Sequence, residues 1–286
     1  MSVGHSVEHD VRAALDLAST SVRSRRRDRS FQRELHEHLM AGVRGERGTP
    51  GEFRRRQNHI GAPGSPLDAA TFVPPPVAEM EEALDDLERY LNADDLVPPL
   101  IRLALSHYQF EAIHPFEDGN GRIGRLLISL LLVHWKLLPS PLLYLSAFLE
   151  RNRNGYYKLL LAVTERGVWS EWVIFFLRGV EEQARDAVAR AKQLQDLERH
   201  WRQQVAQARS SGLLLRLVES LFDTPIVTIP RVQRLLDVTY RAAAQNVQKL
   251  VEAGILHPVG GRSYGKLFAA RDILRVVDPG GRASDA

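Results

Sequence analysis

The sequence predicts a mainly α protein: an all-helical core with a small β-hairpin flap, followed by a smaller domain of three helices and a hairpin. Three observations lead there. Apolar residues recur three and four positions apart through most of the chain, which is the period of a helix with one buried face. Glycine and proline cluster between residues 61 and 66, inside a stretch without helical period, as in a hairpin or flap. Near Gly212 the pattern shifts to shorter amphipathic segments that end in two β-like runs.

With 286 residues, 44% of them hydrophobic, the chain is long enough to bury a substantial core. It contains no cysteine, which excludes disulfide staples and thiolate zinc sites and fits a reducing cytoplasm, the expected location. No N-terminal apolar stretch reads as a signal peptide. The most apolar segment, Ile123 to Leu138, is interrupted by Arg125, His134 and Lys136, so it reads as a buried helix rather than a membrane span. A net charge of +3 is too small to mark a nucleic-acid binder by itself.

The elements follow in order. A short amphipathic helix is expected from Val7 to Val22, then a solvated arginine run at 23–29. A helix from Phe31 to Ala41 carries Phe31, Leu35 and Leu39 at spacing four. Gly42 to Gly51 is rich in turn residues, and the segment 52–72 forms the flap. Val77 to Leu91 puts Met80, Leu84, Leu87 and Leu91 on one face. Pro98 opens a second strong helix that ends at Ile113, because Pro115 removes a donor and restrains His114. Further helices are expected at Gly121–Leu137, Leu149–Thr164 and Ser170–Lys192, the last running on as a charged connector to Arg209. Beyond Gly212, helices at Leu213–Leu221, Ile229–Leu236 and Tyr240–Ala253 precede β-like runs at Ile255–Val259 and Tyr264–Ala269. Gly254 is the expected left-handed stop of the third helix. Three helices and a hairpin in that order resemble a winged helix-turn-helix. The domain reading is an N-terminal extension (1–30), a catalytic domain with connecting helix (31–210) and the winged helix (211–286).

The run His114 to Arg125, HPFEDGNGRIGR, concentrates the chemistry. Its glycines let backbone N–H groups approach phosphate oxygens. The helix starting near Gly121 turns its unsatisfied N–H groups and positive dipole end towards the same anion. Arg122 and Arg125, three apart, project from neighbouring positions and can clamp phosphates. Asp118 is a hard ligand suited to Mg²⁺ held against phosphates, and His114 can take a proton near neutral pH. The bland alternative is a tight Gly-Asn-Gly turn between two core helices with two solvated arginines.

This run resembles the Fic signature, HPFx(D/E)GNGRxxR, at every specified position. The resemblance extends from about Leu35 to Gln183 through PGEFR (50–54), the Gln57–Gly61 stretch, FVPPP (72–76), HYQFEAIHPF (107–116) and PLLYLS (141–146). It implies an all-α Fic core and transfer of AMP from ATP, with Mg²⁺, to a Tyr, Ser or Thr hydroxyl of a target protein, with self-modification. Carried over by position, His114 would accept the hydroxyl proton and Asp118 would hold Mg²⁺. Asn120, with the N–H groups of Gly119 and Gly121, would bind the α-phosphate. Arg122 would contact the phosphate chain, and Arg125 would orient the γ-phosphate. The flap residues Gln57, Asn58, His59, Ile60 and Gly61 would pair with a target segment as an added strand. Tyr157, of the pair Tyr156–Tyr157, would line the base pocket, or else be ordinary helix packing. Thr164 stands where some relatives carry an asparagine, which removes that adenine contact. Arg54 to Arg56 read equally as a recruiter of acidic targets or a solvated face.

Many family members carry an inhibitory (S/T)xxxE(G/N) helix whose glutamate pairs with the second signature arginine. Ser30 to Glu34 fits only its first part, since Leu35 follows. The expectation is a chain without its own brake, either a shortened form or one whose glutamate comes from an inhibitory partner or another subunit. A homodimer is compatible with the family. Two other readings remain: a DNA-binding regulator acting through Arg241, Gln245 and Lys249 of the winged helix, and transfer of a different phosphate-containing group. The loop Gly119–Arg122 lacks the Asn-Lys-Arg variant of the kinase-like branch.

Overall fold

A computed structural model describes residues 29–40, 49–62, 64, 66–93, 96–207, 212–260 and 266–278. The expected helix at Val7–Val22, the histidines His5 and His9, most of the arginine run 23–29, most of the turn-rich stretch 42–51, the hairpin turn at 261–263 and the tail from Pro279 lie outside the described residues. By internal contacts the chain divides into two units, 1–185 and 186–286.

The first unit is helical. Helices α1 (Arg29–Met40), α2 (Val77–Asn92), α3 (Pro99–Ile113) and α4 (Asn120–His134) are followed by α5 (Leu145–Arg151), α6 (Arg153–Arg166) and the start of α7 (Trp169–Gln207). Helix α4 is the centre: Ile123, Gly124, Leu126, Leu127, Ile128, Leu130, Leu131 and Leu132 are all buried. A helix apolar nearly all round needs partners on every side, and α1, α3 and α5 supply them. Leu35 and Leu39 of α1, the predicted stripe of α2, and Trp172 and Phe176 of α7 belong to the same core. The Trp172 indole N–H donates to the Ala104 carbonyl at 3.0 Å, so its burial leaves no polar group unsatisfied.

Helix α4 stops at His134, short of the expected Leu137. Lys136 takes a left-handed conformation (φ 58), and the N–H groups of Leu137 and Leu138 both turn back to the Leu132 carbonyl, at 2.9 and 3.1 Å. The single helix expected over Leu149–Thr164 is two, α5 and α6. The break falls at Asn152, whose backbone leaves the helical region (φ −105, ψ 24) while its side-chain amide donates to the Phe148 carbonyl at 2.9 Å. The flap is also less regular than a hairpin. Among the described residues its one bridge pairs Ile60 with Phe72, and a 3₁₀ turn spans Leu67–Ala69.

The second unit contains the rest of α7, then α8 (Gly212–Asp223), β1 (Ile226–Thr228), α9 (Ile229–Leu236), α10 (Tyr240–Glu252), β2 (His257–Val259), β3 (Leu267–Ala269) and α11 (Arg271–Val277). The strands form one antiparallel sheet in the order β1-β3-β2, with Ile226 and His257 flanking Ala269. Thr228 and Thr239 cap α9 and α10 by accepting the N–H groups of Arg231 and Ala242. Gly254 has φ 73 after the last helical turn. Trp201 and Val205 of α7 join Leu217, Leu221, Val232, Val247 and Phe268 in a separate core. The charged end of α7 is therefore a packing element of this unit. Strand β1 and helix α11 escape the sequence pattern because they are only three and seven residues long.

Candidate active site

The signature loop joins the end of α3 to the start of α4. His114 caps α3 in a left-handed conformation (φ 48, ψ 59), its N–H bonded to the Phe110 carbonyl at 3.1 Å. Gly119 is left-handed too (φ 81) and precedes the first turn of α4. Only glycine accepts this geometry without cost, and an added Cβ there would meet Met40 Sδ at 3.0 Å.

Asn120 closes the loop. Its carbonyl oxygen accepts the Phe116 N–H at 2.8 Å, and its amide donates back to the Phe116 carbonyl at 2.8 Å. The side chain is 2% exposed and committed at both ends. The Asn120 backbone N–H lies at the start of a helix whose first N–H groups have no intrahelical acceptor. The amides of Asn120, Gly121 and Arg122 share that position. The sequence expectation set Asn120 against an α-phosphate; its side chain here closes the loop.

Arg122 and Arg125 diverge. The Arg122 guanidinium lies 3.0 Å from Met40 Sδ and 3.7 Å from Asp118 Oδ2. Arg125 folds over the first turn, its guanidinium 3.1 Å from the place a Cβ on Gly121 would occupy. Asp118 is half-exposed, and its Oδ1 accepts the Gly119 N–H at 2.7 Å. Beside it lies a polar cavity of about 230 Å³ bordered by His36, Glu52, Arg55, Arg56, Glu117 and Asp118. A larger apolar groove of about 880 Å³, between α2, α3 and the start of α7, includes none of the predicted site residues.

Burial lowers the His114 imidazole to about 4, with the Glu111 carbonyl opposing, Arg54 reinforcing and Asp118 opposing. At neutral pH the ring is uncharged and can accept a proton. Its Nδ1 is buried with no hydrogen-bond partner among the described residues, leaving Nε2 as the outward nitrogen.

Two side chains that the sequence did not single out for the site hold this loop. Arg54, 2% exposed, donates to the carbonyls of His114 (3.1 Å), Arg56 (3.3 Å) and Pro75, and its own N–H donates to the Pro115 carbonyl at 2.8 Å. It belongs to neither a recruiting patch nor a solvated face, whereas Arg55 and Arg56 are exposed. His36 of α1 stacks on Phe116 with ring centroids 4.0 Å apart, and burial lowers its pKa.

The flap lies against the same loop. The Asn58 amide donates to the Phe116 carbonyl at 3.1 Å and the Gln57 amide to the Pro74 carbonyl at 2.8 Å. Ile60 exchanges backbone bonds with Thr71 and Phe72. The backbones of Gln57 and Asn58 make no such pairing among the described residues. His59 and Ile60 are half-buried and Gly61 is exposed.

Behind the loop sits a polar cluster inside the core. His107 is 1% exposed, with Nε2 3.0 Å from the Tyr156 hydroxyl and Nδ1 3.2 Å from the Gly124 carbonyl. Since the carbonyl only accepts, Nδ1 carries the proton and the tyrosine donates to Nε2. Burial holds His107 down to about 3, with Arg125 reinforcing. Burial raises Glu111 to about 7, with Arg125 opposing. Tyr156 is thus an interior residue, while Tyr157 is 46% exposed beneath the Arg153 guanidinium. Thr164 accepts or donates at 2.9 Å with the Tyr108 hydroxyl. A sequence signal for the cluster exists: His107 and Glu111 stand four apart on an apolar helix, on one face.

Fold and site define a helical domain built around one glycine-rich loop. Residues 28–132 match the family model described as Fic/DOC family. That stretch is therefore similar to a Fic/DOC-family domain. Over 134 residues, 46% of the chain, it is 34% identical to protein adenylyltransferase Fic of Drosophila yakuba and 37% identical to that of Drosophila erecta. In both cases it spans 24% of the relative's length. A solved Fic family protein from Desulfovibrio desulfuricans G20 superimposes with a TM-score of 0.54 at 21% identity, covering 91% of this chain and 74% of that one. That likeness concerns the fold.

The Glu111 environment makes a pH prediction. The carboxyl ionises near 4.5 when unfolded and near 7 when folded, so its contribution to stability is complete below 4.5 and is lost as pH rises through 7. Glu111→Gln keeps the shape without ionising. Its stability relative to wild type should rise between pH 5 and pH 8.5 by roughly 3 kcal/mol, at about 1.4 kcal/mol per pKa unit. Urea unfolding across that range checks it; a constant difference would mean that Glu111 titrates normally.

Proposed function

We propose that residues 31–210 form the catalytic domain of a protein adenylyltransferase, moving AMP from ATP to a Tyr, Ser or Thr hydroxyl of a target protein and of the chain itself. The observation that carries the reading is the loop: an uncharged His114, unpaired first-turn amides and two arginines meet around one turn. The names of the relatives point the same way.

The hydroxyl oxygen attacks the α-phosphorus, the bond from that phosphorus to the bridging oxygen breaks, and pyrophosphate leaves. His114 Nε2 takes the hydroxyl proton as attack begins. The amides of Gly121 and Arg122, with that of Asn120, receive charge developing on the α-phosphate oxygens. The N–H of Gly119 is already bonded to Asp118, so Gly119 contributes its turn. Arg122 and Arg125 hold the β- and γ-phosphates, which keeps the leaving group opposite the nucleophile. Asp118 offers one half-exposed carboxylate, a donor set that suits Mg²⁺ taking its other ligands from water and phosphate. The bound ion would neutralise charge on the leaving pyrophosphate. Tyr157, half-exposed near Arg153, is assigned to the adenine side. The backbones of Gln57 and Asn58, which pair with no other backbone among the described residues, suit an added target strand, with His59, Ile60 and Gly61 continuing it.

A second reading concerns residues 211–286, which we propose to be a winged helix-turn-helix. The order α8, β1, α9, α10, β2, β3 supports it. Arg241, Gln245 and Lys249 are exposed along α10, a face that fits a DNA groove. Duplex binding by the full chain should weaken steeply between 50 and 200 mM salt and fall in Arg241→Ala; no salt-dependent retardation would reject it.

The main reading predicts label on protein from ATP marked at the α-phosphate and none from the γ-phosphate. His114→Ala should lower transfer about 10²- to 10⁴-fold. Because the base works only when uncharged, kcat/KM should persist to about pH 5 and fall as pH drops through about 4. Label from the γ-phosphate, or an acid limb at the ordinary imidazole value of about 6.5, would contradict it.

A further inference from the structure

We infer that His36 is a positioning residue for the phosphate loop, setting the orientation of Asp118 through the Asp118 carbonyl. The inference rests on the adenylyl-transfer reading for its functional consequence and on geometry for its substance.

His36 is 4% exposed and makes three contacts, each with a different part of the site. Its ring lies flat on Phe116, with an interplanar angle of 3°. Nδ1 accepts the Gly51 N–H at 2.9 Å. Nε2 is 3.1 Å from the Asp118 carbonyl oxygen. Gly51 N–H can only donate and the carbonyl can only accept, so one tautomer satisfies both: proton on Nε2, lone pair on Nδ1.

The partners are themselves fixed. Gly51 is left-handed (φ 79), and a Cβ there would meet Glu37 Cβ at 3.2 Å and the Arg33 carbonyl at 3.3 Å. Its carbonyl accepts from Arg33 Nε at 2.7 Å. The loop thus rests on a rigid support formed by α1 and the turn at Gly51. From it, His36 donates to the carbonyl of the residue whose carboxylate would face the metal. Groups that orient a ligand in this way commonly change metal affinity or activity 10- to 100-fold when removed.

Three variants separate orientation from packing. His36→Gln places an amide N–H where Nε2–H was. His36→Asn keeps an acceptor near Nδ1 and loses the reach to Asp118. His36→Phe keeps the stack on Phe116 and both bonds are lost. In the full chain, amide exchange at 116–120, MgATP affinity and ATP affinity without metal are measured beside α-label transfer. His36→Gln should stay within about threefold of wild type. His36→Asn and His36→Phe should lose about 10- to 100-fold in MgATP affinity and kcat, with faster exchange at Asp118 and Gly119 and metal-free ATP binding unchanged. A packing role predicts the reverse order, His36→Phe being the mildest, and that order would overturn the inference, as would equal losses in all three. If wild type transfers no label, the adenylyl-transfer reading fails, while metal affinity and amide exchange still decide the role of His36.

Discussion

The pair of hydrogen bonds between the Asn120 side chain and the backbone of Phe116 is the constraint on which the site depends. It closes the loop over four residues, both bonds at 2.8 Å and out of water. A buried amide of this kind is costly to leave unpaired, so the loop has one low-energy form. That form starts α4 at Asn120 and turns its first amides away from the core. Arg54 from the flap side and His36 from α1 then hold the backbone on either side, at His114, Pro115 and Asp118. These bonds hold the first-turn amides in place, the condition under which fixed dipoles stabilise charge best.

The charges around the loop are unbalanced in the direction that the proposed chemistry needs. Arg122 has a distant Asp118 oxygen at 3.7 Å. Arg125 acts on Glu111, whose carboxyl burial shifts towards its neutral form. Ionised Glu111 would draw on Arg125 from behind; neutral Glu111 leaves it to the outer side. His107 and Tyr156 complete a cluster in which burial disfavours charge on each partner. The interior behind the signature loop is polar yet close to neutral, so the two arginines dominate the local field.

The helices of the first unit were readable because most carry long stripes of buried residues. The predicted face of α2 is the buried face, and Pro115 ends α3 where proline chemistry requires. Asn152 was not readable as a break, since a single polar residue on an exposed helix face looks the same in sequence whether it interrupts the helix or not. The signature was legible as a glycine-rich turn between two helices, but the work of each residue within it was less so. Asn120 is a polar residue beside glycines, which suits either a phosphate or loop closure. Arg54 stands in a run of three arginines that periodicity cannot separate; only Arg54 turns inward, because carbonyls of His114, Arg56 and Pro75 converge on it. His36 carries no local motif, and its contacts are with backbone 15 and 82 residues away.

A crystal structure with Mg²⁺ and a non-hydrolysable ATP analogue tests the central claim most directly. The account predicts α-phosphate oxygens within hydrogen-bond reach of the first-turn amides of α4, His114 Nε2 facing the side opposite the β-phosphate, and the Asn120 side chain still bonded to Phe116. A nucleotide bound elsewhere, or an Asn120 amide that leaves Phe116 to grip the phosphate, would contradict it.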